Sequence, residues 1–123
     1  MIKSINKNPK PFFRSFINAY NGIQHVFKNE KNFRLHILIA ILVLGSAILL
    51  NCDLIEFALL IVVIFIVLVA EMVNSAIEYT WDKLEPNHHP VVGLIKDTMA
   101  GSVLIASIGA LSVGLIIIFR HLI

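Results

Sequence analysis

Apolar and polar positions divide this chain into four stretches. From Phe12 onward, apolar residues recur at 12, 13, 16, 17, 20, 23, 26 and 27, with Arg14, Asn18, Asn21, Gln24, His25 and Lys28 between them. That spacing predicts an amphipathic helix over about 12–30, its apolar face in the lipid surface and its basic edge on anionic headgroups. Residues 1–9 hold lysines and a proline with few apolar anchors, and a frayed tail is expected there. Leu35 to Leu50 contains no Lys, Arg, Asp or Glu, and Phe57 to Ala70 is apolar without exception. Thr98 to Phe119 is again free of charge. A membrane span needs about 20 residues, so the flanks are included, giving transmembrane helices at about 33–52, 54–78 and 98–119. Only Asn51-Cys52-Asp53 separates the first two, a turn signal that makes them a tight antiparallel hairpin. The second helix should run on beyond its apolar part and stop at Pro86, leaving 79–97 as the polar connection to the third span. The expected fold class is an all-α membrane protein, one unit over 1–123, with an amino-terminal surface helix and three transmembrane helices.

Composition agrees with that reading and excludes a soluble enzyme. Hydrophobic residues make up 58% of the 123 and charged ones 15%, with a mean hydropathy of +0.85. An ordinary soluble domain is about 45–50% apolar and about 25% charged. Seven of the ten basic residues (Lys3, Lys7, Lys10, Arg14, Lys28, Lys31 and Arg34) precede the first span, Lys83 and Lys96 follow the second, and the short hairpin turn has none. The excess of positive charge on cytoplasmic segments then places the amino terminus and the 79–97 connection in the cytoplasm. The first apolar stretch begins too late, and lacks a following cleavage pattern, for a signal peptide to be expected. One cysteine, Cys52, excludes an internal disulfide and a metal cluster built from several cysteines. No nucleic-acid partner is expected.

The candidate chemistry gathers at the end of the second span. At about 100° per residue from Glu71, Asn74 falls near −60°, Glu78 near −20°, Asp82 near +20° and Glu85 near −40°, so four carboxylates and an amide share one stripe. Asp82 and Glu85 read as a solvated helix end. Glu71 does not: an acid inside a span costs about 2.5–3.5 kcal/mol at the centre, where an apolar residue gains about 0.3–0.6 kcal/mol. Such a residue is kept for a function or for an inter-helix hydrogen bond. Asn29-Glu30-Lys31-Asn32-Phe33-Arg34 and Lys96-Asp97 lie at the same membrane face. Carboxylates for a divalent cation, a lysine for phosphate charge and a base for an acceptor's proton are what phosphoryl transfer requires. Neither a Gly-x-x-x-x-Gly-Lys-Ser/Thr loop nor a Gly-x-Gly-x-x-Gly loop is present. A rival reading makes the Glu71–Glu78 stripe a proton or cation path in a small channel or transporter subunit. Lys31 and Arg34 read as membrane anchors, His88 and His89 as solvated loop residues, and His25, His36 and His121 as interfacial. Ser102, Ala106, Ala110 and Gly114 form a seam of small residues for helix packing, and a bundle of three spans is thin enough to call for an oligomer.

Glu71-Met72-Val73-Asn74-Ser75-Ala76-Ile77-Glu78, with Asp82, His89 and Lys96-Asp97-Thr98-Met99-Ala100-Gly101-Ser102 downstream, closely resembles the signature of the small bacterial integral-membrane diacylglycerol and undecaprenol kinases. Asn29-Glu30 with Asn32-Phe33-Arg34 extends the resemblance, which covers roughly residues 12–120. It implies a homotrimeric enzyme of the bacterial inner membrane, with sites shared between subunits. The enzyme would phosphorylate a lipid alcohol with ATP and Mg²⁺ at the cytoplasmic face. By position, Glu71 resembles the general base, Glu30 and Glu78 the metal-binding carboxylates, Asn74 a supporting polar contact, and Lys96 and Asp97 nucleotide contacts. Asn29, Asp82 and His89 match positions with less defined roles. His36 departs from the proteobacterial diacylglycerol kinases, which carry an acid there, and leans the resemblance toward the undecaprenol kinase branch.

Overall fold

The computed structural model describes residues 11–123 as four helices: α1 (Pro11–Asn29), α2 (Lys31–Leu49), α3 (Leu54–Leu84) and α4 (Pro90–Leu122). The tail expected over residues 1–9 lies outside the described residues. Three of the helices, α2, α3 and α4, are long and apolar enough to cross a membrane, which makes this an integral membrane protein.

Helix boundaries follow local chemistry. A single extended residue, Glu30 (φ −113°, ψ 108°), separates α1 from α2. Arg34 ties the joint from the other side: its Nη1 donates to the carbonyls of Phe27 at 2.7 Å and Lys28 at 3.0 Å. A cation on the last carbonyls of a helix satisfies groups that have no partner within the helix, so Arg34 is a joint residue as well as a basic flank. The α2–α3 turn uses Asn51 in the left-handed region (φ 58°), a conformation that asparagine tolerates well. Asp53 then caps α3, accepting from the Glu56 backbone N–H at 2.8 Å while Glu56 accepts from the Asp53 N–H at 2.9 Å. This reciprocal capping box fixes where the helix starts. The Glu56 backbone N–H, and after it the Arg120 guanidinium, hold the Asp53 carboxyl below its ordinary range.

α3 ends just before Pro86, as expected, and the part of the connection that differs from the expected loop is its second half. α3 runs to Leu84 and α4 starts at Pro90 rather than at Thr98, so the non-helical link shrinks to residues 85–89. Proline at the first helical position needs no N–H partner, and His89 before it accepts from the Val91 N–H at 3.1 Å through Nδ1. His89 is exposed, as expected of a solvated residue, and it also caps the helix.

α3 is the central element: it packs along α4, and also against α2 and α1. Its inward line is Glu56, Leu60, Val67, Glu71 and Ser75, all buried. Near the hairpin, Ala47, Leu60 and Ile117 form a small core with Val43, Cys52, Phe57 and Val113 against it. Few other side chains are buried, as expected where lipid is the solvent for the outer faces of helices. α1 docks by its carboxyl-terminal end, through buried Val26 and an edge-on contact of His25 with Tyr79 (5.6 Å). Its Phe12, Phe13, Phe16, Ile17 and Tyr20 remain exposed as one apolar stripe, the form expected of a surface helix.

Candidate active site

Glu71 is only 3% exposed, one residue past the apolar run of α3. Its Oε2 lies 3.7 Å from His36 Nε2 on α2, within ion-pair range and beyond a hydrogen bond. Glu30 at the α1–α2 joint and Glu78 two turns further along α3 are close enough for their charges to act on the same carboxylate. Two helices and the joint before α2 thus bring the charges of three acids and a histidine to bear on one another. Glu30 occupies the N-cap position of α2, yet its side chain makes no capping hydrogen bond. A carboxylate left out of the cap, beside two others, favours an added cation over empty space.

The remaining expected residues are placed differently. Asn74 is half-buried on the flank of α3, while the residue that faces inward one turn after Glu71 is Ser75. Lys96 on α4 is ion-paired with Asp82 on α3, and Asp97 is exposed. Among the described residues, no hydrogen bond or ion pair joins Lys96 or Asp97 to Glu30, Glu71 or Glu78.

Two residues near the site escaped the sequence reading. His36, expected at the headgroup level, faces Glu71; the signal was a lone imidazole in the first turns of an apolar helix that must pair antiparallel with α3. Ser75 is buried, and among the described residues its hydroxyl has no hydrogen-bond partner. By contrast, Ser46, Thr80, Thr98 and Ser112 each donate to the carbonyl four residues back, the usual refuge of a hydroxyl in an apolar helix.

Beside the site, an open groove of about 460 Å³ runs between α2, α3 and α4, with His36 at its polar end and Ile39, Val43, Leu68 and Leu111 among its walls. The polar end of this apolar groove is His36, which itself stands 3.7 Å from Glu71. The arrangement is that of a helical membrane protein with a buried carboxylate at the end of an apolar run.

The chain belongs to the prokaryotic diacylglycerol kinase family, whose model matches residues 17–118. It is 33% identical over 111 residues to the undecaprenol kinase of Bacillus subtilis, which covers 90% of both chains. It is also 32% identical to the diacylglycerol kinase of Escherichia coli K12 over 103 residues, or 84% of each. The diacylglycerol kinase of Synechocystis is 34% identical over 101 residues, which span 81% of this chain and 58% of that longer one. The protein is a lipid kinase of the membrane. The rival channel reading draws no support from these relatives.

Proposed function

We propose that this kinase transfers the γ-phosphate of ATP, with Mg²⁺, to the hydroxyl of a membrane lipid alcohol at the cytoplasmic face. The acceptor is undecaprenol or diacylglycerol, and the working form is a homotrimer. Undecaprenol comes first, because its kinase from Bacillus subtilis aligns over the larger share of the chain and because His36 replaces an acid. The observation that carries the reading is the buried Glu71 held against His36 at the end of an apolar groove, with Glu30 and Glu78 near enough for their charges to act on it.

Glu71 takes the proton of the lipid hydroxyl as its oxygen forms a bond to the γ-phosphorus; the bond to the ADP oxygen breaks and ADP leaves. A buried carboxylate held in place by α3 suits this step, since a general base must stand within reach of the proton it takes. Glu30 and Glu78 offer the oxygen donors that a hard cation prefers and are the residues that would hold Mg²⁺. When bound, that ion neutralises phosphate charge. Asn74, Lys96 and Asp97 are assigned to the nucleotide, Lys96 to phosphate after it leaves Asp82. A homotrimer would cover the sparsely buried faces of α2 and α4. The amino terminus and site are assigned to the cytoplasm on the distribution of basic residues, in the inner membrane of a bacterium.

The test incubates the purified full chain in detergent micelles with γ-labelled ATP and Mg²⁺, and with undecaprenol or diacylglycerol separately. The expected product is labelled undecaprenyl phosphate. Label in phosphatidic acid alone would reassign the acceptor, and label in neither lipid would overturn the reading.

A further inference from the structure

A second polar cluster sits at the opposite end of α3, about 22 Å from Glu71 along the helix. Glu56 is 3% exposed there. His121, near the end of α4, places Nε2 at 2.9 and 3.1 Å from its two carboxylate oxygens. Arg120 Nη1 stands 3.3 Å from Glu56 Oε2 and 3.3 Å from Asp53 Oδ2. Cys52 completes the group from the hairpin turn: ligand atoms of Cys52, Glu56 and His121 all lie within 4.8 Å of one another.

From this geometry we propose that Cys52, Glu56 and His121 form a site for a borderline divalent transition metal, with Zn²⁺ as its natural occupant. The capping box explains Asp53 and Glu56, and it leaves unexplained why a thiol and an imidazole are held against the same carboxylate. A thiolate, an imidazole nitrogen and a carboxylate oxygen are the donor types that Zn²⁺ selects, and hard cations such as Mg²⁺ avoid sulfur. Bonds of about 2.0–2.3 Å put neighbouring donors within about 4 Å of one another, so only a small closure of the cluster is needed. Charge also favours a cation. Asp53 and Glu56 carry two negative charges against the one of Arg120, and the thiolate adds a third.

On binding, the Cys52 proton passes to solvent and His121 keeps its hydrogen on Nδ1, freeing Nε2 for the metal. Arg120 turns wholly to Asp53 Oδ2, so that Glu56 Oε2 and the sulfur supply the other two bonds while Glu56 Oε1 retains the Asp53 N–H. Three protein ligands leave a fourth position for water. The site joins the hairpin turn, the start of α3 and the end of α4, so the metal would staple three parts of the bundle.

The experiment titrates Co²⁺, a spectroscopic substitute for Zn²⁺, into the purified full chain in micelles. A thiolate-to-cobalt charge-transfer band is expected, displaced by Zn²⁺ and absent in Cys52→Ser and His121→Ala. Zn²⁺ should also slow alkylation of Cys52 in the unaltered protein by about tenfold or more, because a metal-bound thiolate is a poor nucleophile. Lipid phosphorylation by Cys52→Ser verifies that this variant is folded. Absence of the band, its persistence in Cys52→Ser, or alkylation indifferent to Zn²⁺ would each overturn the proposal.

Discussion

Replacing Glu71 by Gln keeps the size and polarity of the side chain and removes its charge, which separates catalysis from packing. The structure lets both effects be sized. Removal of a general base costs about 10²- to 10⁴-fold in turnover, or about 2.7–5.5 kcal/mol of transition-state stabilisation. For stability, the buried acid costs up to about 2.5–3.5 kcal/mol, which the amide relieves in part. Opposing this relief is the lost attraction to His36 at 3.7 Å, at most about 4.5 kcal/mol for a charged imidazole at an effective dielectric constant of 20. Repulsion from Glu30 and Glu78 reduces that figure, so the opposing contributions leave Glu71→Gln within about 1 kcal/mol of the parent in stability. Transfer from labelled ATP to lipid in micelles measures the first quantity, and thermal unfolding followed by circular dichroism measures the second. Activity within about tenfold of the parent would refute the assignment of Glu71 as base. Lost activity accompanied by lost helix would instead make its role structural.

Four further outcomes follow from the same geometry. Lys96→Met should lower turnover by about 10²-fold while costing under about 1 kcal/mol of stability, since its ion pair with Asp82 is largely exposed; an equal loss in both would confine Lys96 to the ion pair. Ser75→Ala should raise thermal stability by up to about 1–3 kcal/mol by removing a buried hydroxyl without a partner; lowered activity at raised stability would give that hydroxyl a part in the reaction. His36→Gln should reduce turnover by about tenfold, less than Glu71→Gln, because its contact with the carboxylate is longer than a hydrogen bond. The lowered pKa of Asp53 makes its contribution to stability fully present above the ordinary carboxylate range. That contribution is lost as pH falls through the folded value, so Asp53→Asn should unfold with a weaker dependence on acid pH than the parent.

Much of this protein is written in its periodicities, because a bilayer imposes severe rules. A helix must be long and apolar to cross it, and an acid within one must have a purpose, so the spans and Glu71 could be read directly. Where local capping overrode hydropathy, the reading failed. Pro90 and His89 start α4 among polar residues, which hydropathy alone assigns to a loop. Contacts between distant segments were equally hidden. The pairing of His36 with Glu71 depends on the register of the hairpin, and that of Lys96 with Asp82 on the short 85–89 link. Cys52, Glu56 and His121 show no recognisable spacing, because their closeness arises from three elements ending together. At about 100° per residue Ser75 lies nearer to the direction of Glu71 than Asn74 does, and it is Ser75 that is buried while Asn74 is half-buried.

The one-residue joint at Glu30 has a mechanical meaning. α1 is a stiff rod of about 28 Å, its exposed apolar stripe rides in the lipid surface, and Arg34 pins its last carbonyls to α2. Nothing between the two helices can absorb a change of angle except the backbone of Glu30 itself. A tilt of the rod, as the surface becomes more curved or more charged, therefore turns the residue that carries one of the candidate metal carboxylates. The amino-terminal helix is in this sense coupled to that carboxylate by a single residue of backbone.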